Sequence, residues 1–101
     1  MRNVRNLEEA IQLLAGNSMK MTTLDERTQY FLKMMPFEYG EPVMSDYTFA
    51  PALTWVLIYK DLPFIVYTDL DGNWQIDAQR SCHFTMVDEF IFELIAILNE
   101  A

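Results

Sequence analysis

The sequence predicts an α+β domain: two short N-terminal helices, a three- or four-stranded antiparallel meander, and a C-terminal helix packed on the sheet. Three observations carry that expectation. Residues 53–79 hold two apolar, β-branched and aromatic runs and a weaker third, separated by short polar turns. Residues 84–98 repeat apolar positions at helical spacing, and two shorter segments before residue 36 do the same behind capping residues. At 101 residues the chain suits a single domain, 1–101, and is long enough to bury a core without disulfide or metal staples.

Taken in order, Asn6 with Glu9 reads as a reciprocal cap, Leu7, Ala10, Ile11 and Leu14 as the apolar face it starts, and Gly16 as the stop. Residues 17–22 read as a polar connector carrying Met19 and Met21. Thr23 with Glu26 reads as a second capping box, with Leu24, Thr28, Phe31, Leu32 and Met35 sharing the helix face and Tyr30 and Met34 on its flank. Pro36 should end that helix, because the residue before a proline avoids helical geometry. Residues 36–52 are irregular, with Pro36, Pro42, Pro51 and Gly40, and residues 45–49 are expected to form a short edge strand. This loop interleaves Phe37, Tyr39, Tyr47 and Phe49 with Glu38, Glu41 and Asp46 and holds no basic residue.

In the meander, side chains alternate between faces. Leu53, Trp55, Leu57 and Tyr59 oppose Thr54, Val56 and Ile58; Phe64 and Val66 oppose Ile65 and Tyr67. Only the third run alternates cleanly, with Trp74, Ile76 and Ala78 against Asn73, Gln75, Asp77 and Gln79. The first two runs therefore need cover on both faces. So short a chain is not expected to supply helices for both, which predicts an exposed apolar patch or a partner on the second face. Residues 60–62, ahead of Pro63, form the first turn, and Asp71-Gly72 is a strong hairpin signal. The last helix, capped by Thr85 with Asp88, places Val87, Phe90, Ile91, Leu94 and Leu98 in one stripe widened by Met86, Ile95 and Ile97. Phe92 falls among the carboxylates on its far side, which predicts a ring exposed or pressed against something outside this core.

Charge narrows the function classes. The net charge is −8, spread as +1 over residues 1–37 and −9 over residues 38–101. Direct nucleic-acid binding is disfavoured, because phosphate contacts need clustered Lys and Arg. Arg2 and Arg5 are followed at once by Glu8 and Glu9 rather than by an apolar run, so no secretory signal is read, and no stretch is long and apolar enough to predict a membrane span. The single cysteine, Cys82, fits a reducing compartment, and the expected location is the cytoplasm.

Sites of chemistry are sparse. Asp69, Asp71, Asn73 and Asp77 resemble the start of a calcium loop, but the sixth position is Trp74 where glycine is needed and the twelfth is Arg80 where a bidentate Glu is needed. Cys82 and His83 are adjacent, so on an extended segment they point apart and do not make a nucleophile and base pair. With glycine only at 16, 40 and 72 there is no phosphate loop. Neither cofactor nor metal is expected, and catalysis is the disfavoured class.

The favoured expectation is a small acidic binding protein that engages a macromolecular partner, including one whose basic surface it occludes. Its contact residues are Tyr39, Tyr47, Phe49 and Phe92 as anchors, with Glu38, Glu41 and Asp46 as the rim. In size and composition the chain is similar to the broad class of phage inhibitors, immunity proteins and mobile-element products that occlude another protein. That likeness transfers no residue roles. A second expectation is a small-ligand pocket lined by Trp55, Tyr59, Phe64, Tyr67 and Trp74. A third is a homodimer that pairs the surplus apolar face of Val56, Ile58, Ile65 and Tyr67.

Overall fold

The computed structural model describes residues 1–46 and 52–101. In chain order it has β1 (Arg2–Asn3), α1 (Leu7–Gly16), β2 (Met19–Met21), α2 (Glu26–Leu32), the single helical turn α3 (Met35–Tyr39), β3 (Met44–Asp46), β4 (Ala52–Tyr59), β5 (Leu62–Thr68), β6 (Trp74–Gln79) and α4 (Phe84–Asn99). The class is α+β and every strand pairing is antiparallel, in the order β1-β4-β5-β6-β2, with β3 sharing the β4 edge with β1.

The three expected runs form the centre of the sheet, with Leu57 opposite Phe64 and Phe64 opposite Ala78. Their hairpins differ in how they turn. Lys60 and Asp61 close the first in two residues with φ of 50° and 64°, the left-handed pair that a type I′ turn requires and that non-glycine residues adopt at some cost. The second is organised by Asp69, whose Oδ1 accepts from the backbone N–H groups of Asp71 and Asn73 at 2.9 and 2.8 Å, while Gly72 takes the positive φ of 81°. Those backbone donors hold the Asp69 carboxyl below its ordinary range.

Three short elements were not expected. Residues 17–22 are not a plain connector: β2 pairs Met19 with Gln79 and Met21 with Asp77. Arg2 and Asn3 pair with Ile58 and Leu57. Pro36 does not simply end a helix; α2 stops at Leu32 and Pro36 sits in the first turn of α3, where its missing N–H costs nothing. Two caps also shift. Asp25, not Thr23, caps α2, accepting from Thr28 N–H at 2.7 Å, and His83, not Thr85, caps α4 through Nδ1. Asn6 does cap α1, accepting from Glu9 N–H at 3.0 Å, but Glu9 turns to Arg2 instead of reciprocating. Past Gly16 it is the Asn17 amide that closes α1, donating to Leu13 O at 2.7 Å.

One face of the sheet carries the main core. Trp55, Leu57, Phe64, Val66, Ile76 and Ala78 pack under Leu32 of α2, Met35 of α3 and Val87, Phe90, Leu94 and Leu98 of α4. The Phe64 and Phe90 rings stack at 3.9 Å and Trp55 stacks on Trp74 at 5.6 Å. The expectation that the chain could not cover the second face is wrong. β4 and β6 run parallel, so their antiparallel partners β1 and β2 are parallel at opposite edges, and α1 between them crosses β4, β5 and β6. Four strand spacings come to about 19 Å, which a helix of ten residues and its short connectors span. Beneath α1, Val4, Ala10 and Val56 are fully buried, with Leu13, Val43, Met44 and Ile58 packed around them. The buried position of α1 is Ala10, while Leu7 and Ile11, expected on its inner face, are each 51% exposed.

Candidate functional site

The described residues expected in a partner site fall on α3 and the segment after it, at the end of β3 and, for Phe92, on α4. Glu38 and Glu41 are exposed, on α3 and just beyond it. Tyr39 is half-buried; its carbonyl accepts from Asn3 Nδ2 and from the Arg5 guanidinium, each at 3.0 Å, and its hydroxyl donates to Met1 Sδ at 3.6 Å. Burial, with Glu38 alongside, pushes that phenol up to about 12. Gly40 follows with φ 76°, and its carbonyl accepts from Trp55 Nε1 at 3.1 Å, so this part of the loop is tied to the core. Asp46 ends β3, and Tyr47 and Phe49 lie outside the described residues.

The aromatic residues expected to line a ligand pocket are not arranged as one. Trp55 and Phe64 are fully buried in packed core, Tyr59 is pinned by a 2.9 Å bond from its hydroxyl to Glu89 Oε1, and Lys60 pairs with the same carboxylate. Lys60 and Tyr59 hold the Glu89 carboxyl below its usual range. Tyr67 points to the other face of the sheet, where it donates to Asp77 Oδ1 at 3.1 Å. Burial pushes the Tyr67 phenol to about 12 and raises the Asp77 carboxyl, the Tyr67 bond only partly opposing the latter. Among the described residues no buried side-chain nitrogen or oxygen lacks a partner, and no group of three His, Cys, Asp or Glu side chains is placed to hold a metal. Cys82 is buried, and burial raises its thiol.

Of the surface expected to pair two copies, Val56 is fully buried with Val4 and Ala10, Ile65 is 7% exposed, and Ile58 and Tyr67 are partly exposed.

Among the described residues Phe37, Leu70 and Tyr30 are exposed singly, at 78%, 68% and 66%, whereas along α4 two exposed rings stand beside concave surface. Phe92 is 74% exposed, as its place on the helical wheel predicts, and Phe84, two turns earlier, is 68% exposed. Both border clefts on one flank of the helix. The first lies between residues 20–23 and Phe84, Val87, Asp88 and Ile91; the second lies between Asp25, Arg27 and Thr28 and Phe92, Ile95, Ala96 and Asn99. The two lie end to end. Met21, on the wall of the first, is 63% exposed. Local sequence explains the arrangement. His83 Nδ1 accepts from Thr85 N–H at 3.3 Å and its ring stacks on Phe84 at 4.5 Å, which fixes where the helix starts and which way that ring lies. Asp25 starts α2 beside the second cleft, and its cap bonds to Thr28 hold its carboxyl below the usual range.

Phe92 was thus singled out by sequence, whereas Phe84 and Met21 were not. The eight-residue spacing of the two phenylalanines, about two turns, was a readable signal for the first. Nothing local marks Met21, which depends on β2 pairing. No helix among the described residues is long and apolar enough to cross a membrane. Comparison with protein-family models, curated proteins and solved structures finds no match.

Proposed function

We propose that this chain works by binding a macromolecular partner through the outward face and open flank of α4. The observation that carries the reading is the exposure of Phe92 and Phe84 beside two apolar clefts, in a fold whose own cores are otherwise filled. Large exposed rings next to concave apolar surface are what binding anchors look like. The net charge of −8 suits a partner with a basic surface, which the chain would occlude in the manner of an inhibitor or immunity protein. Glu38 and Glu41 border neither cleft and enter this reading as contributors to the steering field, with Asp46 in the same segment. Tyr39 serves as the post on which that segment is fixed, and Tyr47 and Phe49 remain candidate contacts. The lone thiol suits a reducing compartment, and the cytoplasm is where we place the binding.

A photo-crosslinking residue placed at Phe92 in the native host tests the reading, with the same residue at exposed Gln12 of α1 as the control. Adducts of defined mass formed at position 92 and absent at position 12 support it. Equal adducts at both positions, or none at 92, reject it.

A further inference from the structure

We infer that the occupant of the α4 flank is a basic amphipathic helix of a partner protein, its apolar stripe in the clefts and its cations over the outward face of α4. The inference rests on the binding reading above and names the partner's chemistry. From Phe84 to Asn99 the open flank is about 22 Å long, the length of four helical turns. Phe84 and Phe92 stand as posts about 12 Å apart, the interval at which an opposing helix repeats its apolar side chains at i and i+7 or i+8.

Charge sets the orientation. Inside the clefts the charges balance, Lys20 and Asp88 in one, Asp25 and Arg27 in the other. Asp25 is engaged as a helix cap and Arg27 lies over the Phe31 ring at 5.7 Å. The cleft walls therefore ask for apolar contact. The outward face is different: besides Asp88 at the cleft edge and Glu89, which Lys60 engages, α4 carries the exposed Glu93, the exposed Glu100 follows it, and the helix contains no basic residue. Asp88 and Glu89 precede Phe92 by one turn, while Ile95 and Ala96 follow it by one. A Lys or Arg reaching Asp88 or Glu93 comes beside the exposed Phe92 ring, where a cation is attracted to the aromatic face. A second copy of this chain would set carboxylates against carboxylates, and an anionic lipid surface would be repelled, so both are poorer occupants.

The test uses the full chain and three labelled synthetic peptides of about 15 residues: one with leucines in a helical stripe and lysines elsewhere, one with the same stripe and glutamates, and one with the lysines but the leucines dispersed. Binding is read by anisotropy at low salt against wild type, Phe84→Ala/Phe92→Ala and Asp88→Asn/Glu93→Gln. The substituted side chains are exposed, and unchanged thermal melts check the fold of each variant. The striped lysine peptide should bind one to one, about tenfold or more tighter than either other peptide. It should weaken about tenfold on loss of the phenylalanines and severalfold on loss of the carboxylates. If striped lysine and glutamate peptides bind equally and both need the phenylalanines, the basic partner is wrong and the α4 surface survives. If the phenylalanine substitutions change nothing, the inference and the binding reading both fall.

Discussion

The two faces of the sheet are built to different standards. On one, three helical segments press Phe90, Leu94, Leu98, Leu32 and Met35 onto Trp55, Leu57, Phe64, Val66 and Ile76, with stacked rings and complete burial. On the other, a single ten-residue helix covers Val56 with Val4 and Ala10, leaves Leu7 and Ile11 half exposed, and gives way to the polar pair Tyr67 and Asp77. The difference teaches where stability resides. Buried area and aromatic packing concentrate under α4, so the helix that carries the two clefts is also the one most firmly held, whereas α1 is a thin cover that closes an apolar face.

Substitutions can break or sharpen that contrast. The largest loss is expected for Phe90→Ala, about 3 to 5 kcal/mol from the emptied ring site and the lost stack on Phe64; urea unfolding measures it, and a loss below that of Val56→Ala would reverse the ranking of the two faces. Val56→Ala itself should cost about 2 kcal/mol, since two buried methyl groups leave and α1 can partly settle into the space. Asn6→Ala should cost about 1 kcal/mol by removing the cap of α1, and amide exchange in α1 should accelerate while α4 keeps its protection.

The smallest effect is expected at Asp77, and it has the opposite sign. Its folded carboxyl is raised by burial, so the native state holds a proton more tightly than the unfolded chain. Stability from this group is complete below the ordinary aspartate range and is lost as pH rises through the raised folded value. Asp25, Asp69 and Glu89, held low, contribute above the ordinary carboxylate range and lose that contribution on acidification. Asp77→Asn keeps an acceptor for the Tyr67 hydroxyl and should stabilise the chain by a few tenths of a kcal/mol at neutral pH, the gain being held small by solvent screening of a half-exposed group. The gain should vanish at acid pH; melts across the range would show whether it does.

What was legible in the sequence follows the same division. The α4 stripe and the central strands announce themselves because many side chains repeat a period, and Phe92 stands out as the break in it. The cover of the second face does not, because β1 has two residues and β2 three, too few for any alternation to register. Without those strands, residues 1–21 read as a helix and a connector, and the apolar face of Val56 and Ile65 reads as vacant. The start of α2 was misplaced because Thr23 and Asp25 are both good caps two residues apart, and only packing chooses between them. The second residue beside the clefts, Phe84, was passed over although it lies eight residues before Phe92, because at the start of a helix a ring's exposure is set by the neighbouring elements.

The crossover formed by β1, α1 and β2 also dictates an order of events. Both strands at its ends take their backbone partners from residues far later in the chain, Arg2 from Ile58 and Met19 from Gln79. Loop closure over such separations is slow compared with the local hairpins at residues 60–61 and 69–73. During synthesis β1 must therefore wait, unpaired, for β4, and β2 must wait for β6, about 60 residues later. Once β4, β5 and β6 have formed their meander, the N-terminal segment can dock as the last strap across it.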